Sequence, residues 1–160
     1  MIALDTSPTR LALARHNAQI YGVAQNIEFI LADYTSFAKT LGATRKIDVV
    51  FLSPPWGGPS YLSRPESPSK PGTPVEQIDT QYTAYSLQHI QPIPGDDLFH
   101  LTRKITQNVA YYLPRTTDLA EIGSLVQNEQ VEVEEEWMGS KLKALTCYFG
   151  GLAQGQEHLY

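Results

Sequence analysis

An apolar, β-branched run from Ile47 to Leu52 ends in Ser53-Pro54-Pro55-Trp56 and passes straight into Gly57-Gly58-Pro59. No other stretch constrains the fold as sharply. The paired prolines have a fixed φ and no N–H to give, so neither a helix nor a central ladder continues through them. The glycines beyond them open backbone shapes that other residues avoid. The run ahead of them reads as a buried parallel strand. The chain therefore leaves that strand abruptly and carries a large aromatic on the exit.

The rest of the chain alternates strands and helices. Ile2-Ala3-Leu4 is a short strand ending at Asp5. Ser7-Pro8 reads as a helix start, with Ser as N-cap and Pro at the first helical position. Leu11, Ala14, Ala18 and Tyr21 keep one face at helical spacing, and Gly22 supplies the stop. Ile27 to Leu31 is a second strand, followed by Asp33 and a short helix over 34–41. Pro65, Pro68, Pro71 and Pro74, with Pro59 upstream, mark a surface loop or insertion. Asp96-Asp97 caps a helix running to about Thr106, with Leu98, Leu101 and Ile105 on its apolar face. Val109 to Leu113 is a strand closed by Pro114-Arg115, and 117–126 a weaker helix. Val131 to Trp137 and Leu142 to Phe149 form a final strand pair. This order predicts an α/β fold: a mostly parallel sheet with helices on both faces and an antiparallel edge. Ligands of such sheets bind beyond the carboxyl ends of the strands. Asp5, Asp33, Ser53 and Pro114-Arg115 all fall there.

Composition sets the outer bounds. A chain of 160 residues suits one domain and is long enough to bury a core. With 42% hydrophobic and 18% charged residues it is globular. A net charge of −5 offers no global pull on nucleic acid, so an RNA contact must come from a local patch. Cys147 is the single cysteine, which fits a reducing compartment and reads as core. No apolar run approaches a membrane span, and the start shows no signal peptide. His16, His89, His100 and His158 show no metal spacing.

Each candidate residue has a bland reading beside the functional one. Asp5 either accepts from ribose hydroxyls or supports the Ser7 cap, and both readings stay open. Asp33 either accepts from an adenine amino group or is a solvated loop carboxylate. Two acids on successive strand ends favour a nucleoside site. Carbonyls of the Ser53-Pro54-Pro55 exit are kept out of any helix, so they face a ligand and accept from an amino group. Trp56 then stacks on the base that carries the amine, worth about 1–3 kcal/mol, with about 0.5–2 kcal/mol more for a cationic base. The bland alternative is a buried loop with Trp56 in the core. Arg115, Lys141 and Lys143 are candidate phosphate binders, Arg103 and Lys104 weaker ones. Glu132 to Glu136 reads as a solvated strand edge.

Phe51-Leu52-Ser53-Pro54-Pro55-Trp56-Gly57-Gly58-Pro59 with Tyr61 closely resembles the catalytic motif of the trimethylguanosine synthases, the RNA cap guanine-N2 methyltransferases. Ile2 to Asp5 with Leu11 to Ala18 and Tyr21-Gly22 is similar to that family's second strand and helix. Ile27 to Asp33 is similar to its third strand, Lys104 to Asn108 with Tyr111 to Arg115 to its fifth-strand region, and Lys141 to Gly150 to its last strand. The resemblance implies a Rossmann-like, class I S-adenosylmethionine-dependent methyltransferase fold. It implies methyl transfer from S-adenosylmethionine to the exocyclic N2 of a 7-methylguanosine cap, giving the 2,2,7-trimethyl form on small nuclear and nucleolar RNAs. It places the protein in the nucleus, nucleolus included, with capped RNA as partner and neither metal nor membrane. It implies Asp5, Asp33 and Ser53 for the cofactor, Ser53 and Pro54 for aligning the amine, and Trp56, Tyr61, Arg115 and Lys143 for the cap and its phosphates. Positioning is the main contribution, since the amine's lone pair must be aligned with the methyl–sulfur bond.

The sequence departs from the family's pattern twice. The resemblance implies a first strand and a glycine-rich loop ahead of the position of Ile2, and these 160 residues hold no match to them. The expectation is a partial catalytic domain over 1–150, with a Pro-rich insertion over 62–82 and a tail over 151–160. A further expectation is that these residues alone do not turn over. The alternative is a non-catalytic, cap- or RNA-binding remnant of the family. A generic amino methyltransferase on another base or protein is a third reading, and Trp56 with Gly-Gly-Pro argues against it.

Overall fold

The computed structural model describes residues 1–41, 47–57 and 84–153. Tyr61, the Pro-rich segment and most of the tail lie outside the described residues. The chain divides into two compact units, Met1–Lys46 and Ile47–Tyr160.

The first unit begins with β1 (Ile2–Asp5), α1 (Pro8–Ile20), β2 (Glu28–Leu31) and α2 (Tyr34–Thr40). β1 and β2 pair in parallel, from Ile2 opposite Glu28 to Asp5 opposite Leu31. The helix start is the expected one: Ser7 caps α1, its hydroxyl accepting from the Arg10 amide at 3.3 Å, and Pro8 takes the first helical position. Gly22 closes it with φ +69°, a left-handed turn that suits glycine. The expected apolar face is only partly buried. Ala18 is buried, whereas Tyr21 is 81% exposed. Tyr21 is the C-cap, beyond the last helical residue, where the chain already swings away from that face.

The second unit holds β3 (Val50–Leu52), α3 (Gly95–Arg103), β4 (Val109–Pro114), α4 (Leu119–Ser124), β5 (Glu132–Met138) and β6 (Lys141–Phe149). Its sheet runs β3-β4-β6-β5, parallel between β3 and β4 and antiparallel across β4-β6-β5. The class is the expected mixed α/β one. Strands are parallel where a helix-bearing connection joins them and antiparallel where the β5–β6 hairpin turns at Gly139, φ +60°.

Three details differ from the expectation. β3 pairs over only three residues. The Asp48 carbonyl just ahead of it is taken by the side chains of Thr106 (2.9 Å) and Asn108 (3.0 Å), so pairing starts at Val50. β3 is also buried on one face alone: Leu52 is 4% exposed and Phe51 62%. Leu52 lies beside Tyr111 on the side covered by α3, and Phe51 points the other way. Finally, α3 starts after Pro94 and stops at Arg103, with Asp96 and Asp97 in its first turn rather than at its cap. A tight turn on the Thr102 carbonyl ends it, so Ile105 falls outside the helix.

The core of this unit is Phe99 of α3 against Tyr111 and Phe149, all fully buried. Gly95 is needed there, because a Cβ would press on the Ile90 side chain and the Tyr111 hydroxyl, each 2.7 Å away. Cys147 sits among these residues, and burial pushes its thiol up to about 12, so it packs as core and is no nucleophile at neutral pH. At the edge, Glu134 and Glu136 accept from the hydroxyls of Tyr148 and Thr146 across the hairpin.

Candidate functional site

The two acids of the first unit stand at the carboxyl ends of its strands. Asp5 is the last residue of β1; its Oδ1 accepts from the Ser7 amide at 2.7 Å and its Oδ2 lies 3.9 Å from the Arg10 guanidinium. Here Asp5 braces the cap. Arg10 is 75% exposed, so the pairing is weak and easily exchanged. Asp33 caps α2. Its Oδ1 accepts from the Thr35 hydroxyl, the Ser36 amide and the Ser36 hydroxyl at 2.6, 2.9 and 2.9 Å. The Thr35 bond first, then those from Ser36, hold the carboxyl down at about 2. Asp33 is thus a permanently ionised acceptor at neutral pH. Its capping role was readable in the Asp33…Ser36 spacing just before the expected helix.

In the second unit the chain leaves β3 at Leu52, and Ser53 is exposed immediately past the ladder. Pro54-Pro55 then carries it to Trp56, which is half-buried, and to Gly57 at φ +89°. Trp56 is therefore not a core residue. Its indole N–H donates to the Tyr112 carbonyl at 3.2 Å, and the two rings lie 5.0 Å apart, tilted by 38°. The Tyr85 hydroxyl donates to the Trp56 carbonyl at 3.3 Å. Phe51 adds a third ring, 6.2 Å from Tyr112. The prolines supply no competing N–H, so the exit path is set by these contacts and by φ restriction.

The cationic candidates separate by position. Pro114 opposite Ala144 is the last ladder pair between β4 and β6, so Arg115 and Lys143 are the next residues outward on neighbouring strands, both exposed. They share the sheet end at which Trp56 is fastened. The Arg115 turn is rigid, because the Thr117 amide and hydroxyl both donate to the Pro114 carbonyl, at 3.0 and 2.7 Å. Lys141 lies further out, as the first residue of β6, paired with Met138 beside the β5–β6 turn. Arg103 and Lys104 lie at the other end of β4, about 20 Å of strand away. Arg103 is committed there to a bidentate pair with Glu129 at 2.9 and 2.7 Å, so it is set aside as a phosphate binder. Glu129 also accepts from the Gly150 amide at 2.8 Å. Tyr61 lies outside the described residues.

Tyr85 and Tyr112 belong to this end and were not among the residues singled out from the sequence. Nothing local in the sequence marks a contact between residues 29 or 56 positions apart.

In the second unit a parallel β3 exit carries a fastened aromatic, with two exposed cations at the same sheet end; in the first unit two acids stand at the carboxyl ends of parallel strands. The family model for RNA cap guanine-N2 methyltransferases matches residues 1–66 and 69–152. The chain belongs to that family. It is 32% identical over 153 residues to a trimethylguanosine synthase of Schizosaccharomyces pombe, covering 93% of this chain and 56% of that one. It is 29% identical over 121 residues to a trimethylguanosine synthase of Saccharomyces cerevisiae, covering 74% of this chain and 33% of that one. The chain thus spans about half the length of the first relative and a third of the second.

Proposed function

We propose that this chain serves methyl transfer to the exocyclic N2 of a 7-methylguanosine RNA cap, with small nuclear and nucleolar RNAs as substrates and the nucleus as the site of action. The observation that carries the reading is the double fastening of Trp56 at the sheet end that also presents Arg115 and Lys143. A cationic, flat base suits an aromatic face, and its phosphates suit exposed cations. By family resemblance Tyr61 is a further candidate for cap binding.

The methyl donor implied by the family is S-adenosylmethionine, which supplies an electrophilic methyl group when bound. The acceptor chemistry of Asp5 and Asp33 fits its ribose hydroxyls and adenine amine. Oδ1 of Asp33 is engaged by three local donors, so an adenine contact falls to its Oδ2. Trp56 stacks on the 7-methylguanine, and the Ser53 and Pro54 carbonyls accept from the target amine and aim its lone pair. No general base of strongly raised pKa is asked of the chain; alignment supplies the rate.

The test is transfer of labelled methyl from S-adenosylmethionine to 7-methylguanosine-capped RNA by the chain fused to the first strand and glycine-rich loop of a trimethylguanosine synthase, with the product nucleoside identified by mass. Methyl on N2, lost in Trp56→Ala, supports the reading. Cap binding without binding of S-adenosylhomocysteine transfers the case to the non-catalytic remnant.

A further inference from the structure

We propose that Tyr85 is a positioning residue that couples the stacking Trp56 to the turn carrying Arg115; the proposal rests on the cap-binding reading above. Tyr85 follows Trp56 by 29 positions and returns to it through space, its hydroxyl donating to the Trp56 carbonyl at 3.3 Å. Its main chain is locked on the other side. The Tyr85 amide donates to the Thr116 carbonyl at 2.7 Å, and its own carbonyl accepts from the Asp118 amide at 3.0 Å. These bonds bracket Thr117, with which Tyr85 forms a parallel bridge just after Arg115. The side chain is 5% exposed, and burial raises its hydroxyl above the usual phenol range, so it stays protonated and able to donate.

Among the described residues the Tyr112 carbonyl holds the Trp56 ring and Tyr85 holds its backbone. The second hold matters because the next residue is Gly57 at φ +89°, a position of high intrinsic freedom. Fixing the Trp56 carbonyl sets the backbone from which the indole projects, while the bond to Tyr112 sets the ring. The same residue fixes the turn from which Arg115 projects. One tyrosine therefore sets the geometry between a base platform and a cation, which is the geometry a 7-methylguanosine 5′-phosphate must match.

Two substitutions separate the parts in the 160-residue chain. Tyr85→Phe deletes the hydroxyl and keeps the main-chain bonds, so it loosens Trp56 and leaves the Arg115 turn alone. The expected result is an equal loss, about 3- to 10-fold, in affinity for 7-methylguanosine and for 7-methylguanosine 5′-diphosphate. The Trp56 indole N–H resonance shifts as well, and the protein stays folded by circular dichroism. Tyr85→Ala also disturbs the turn, so the diphosphate loses more than the nucleoside. An unmoved indole resonance and wild-type affinities in folded Tyr85→Phe, with Trp56→Ala still losing the ligand, overturn the role of Tyr85 and leave the cap-binding reading standing. A wild type that binds neither ligand overturns that reading, and this proposal with it.

Discussion

Truncating Trp56 to Ala removes the surface on which the account places the methylated base. Stacking on an aromatic contributes about 1–3 kcal/mol per base. The positive charge of 7-methylguanine adds about 0.5–2 kcal/mol. The structure decides where in that range the loss falls. The indole is half-buried, and the Tyr112 ring lies 5.0 Å from it at a 38° tilt, so only part of the ring is offered to a ligand. The expected loss lies in the lower half, about 2–3 kcal/mol or about 30- to 150-fold in Kd. Trp56→Phe keeps a ring and gives up the bond to the Tyr112 carbonyl, so it loses about 3- to 10-fold. The assay is quenching of Trp56 fluorescence by 7-methylguanosine 5′-diphosphate in a Trp137→Phe background, with calorimetry for Trp56→Ala. Trp137 is 57% exposed on the edge strand, so replacing it leaves the site unchanged. Folded Trp56→Ala that binds the diphosphate as tightly as the wild type refutes the reasoning.

Other consequences concern the frame around the site. The Arg103–Glu129 pair, 18% and 27% exposed, ties the α3 end to the loop before β5, and Glu129 also holds the Gly150 amide after β6, so Glu129→Gln costs about 1–2 kcal/mol at neutral pH by thermal melting. Its hydrogen bonds to Arg103 hold the Glu129 carboxyl below its ordinary value of 4.5, so the stabilisation is present above that pH and fades as pH falls below it. Wild type and Glu129→Gln therefore converge in melting temperature in acid; a gap that widens there contradicts the assignment. Gly150→Ala introduces a Cβ at φ +68° that collides with the Gln107 carbonyl oxygen, so a loss beyond the 1–2 kcal/mol of the left-handed backbone, about 2 kcal/mol or more, is expected in denaturant unfolding. Asp33→Asn keeps a capping oxygen but removes the charge, so it weakens S-adenosylhomocysteine binding by about 10-fold by calorimetry and lowers the melting temperature, because the charge accepts three local hydrogen bonds.

Much of this was legible in the chain. The Ser7-Pro8 cap and the Gly22 stop specify α1 locally, and the structure has them as expected. The alternation of strands and helices specified parallel pairing, and the final two strands an antiparallel hairpin. Local signals gave out where long-range contacts decide. β3 is short because Thr106 and Asn108 reach back to the Asp48 carbonyl, and no propensity scale sees that. Phe51 is exposed because covering a strand's second face depends on what packs there, not on the strand's own apolar content. The Ser-Pro-Pro-Trp exit announced a site, whereas Tyr85 and Tyr112, which hold its tryptophan, are visible only once the fold brings them to it. Arg103 looked like one cation among several until Glu129, 26 residues on, was found to occupy it.

The measurement that bears most directly on the central claim is calorimetric titration of the chain with 7-methylguanosine 5′-diphosphate and, side by side, with guanosine 5′-diphosphate. The two ligands share phosphates and ribose and differ in the charge on the base. The account predicts that the methylated ligand binds about 3- to 30-fold tighter, the cation–π contribution, and that Trp56→Ala erases the difference. Equal affinity for the two ligands in the folded wild type, or a preference that survives Trp56→Ala, contradicts it.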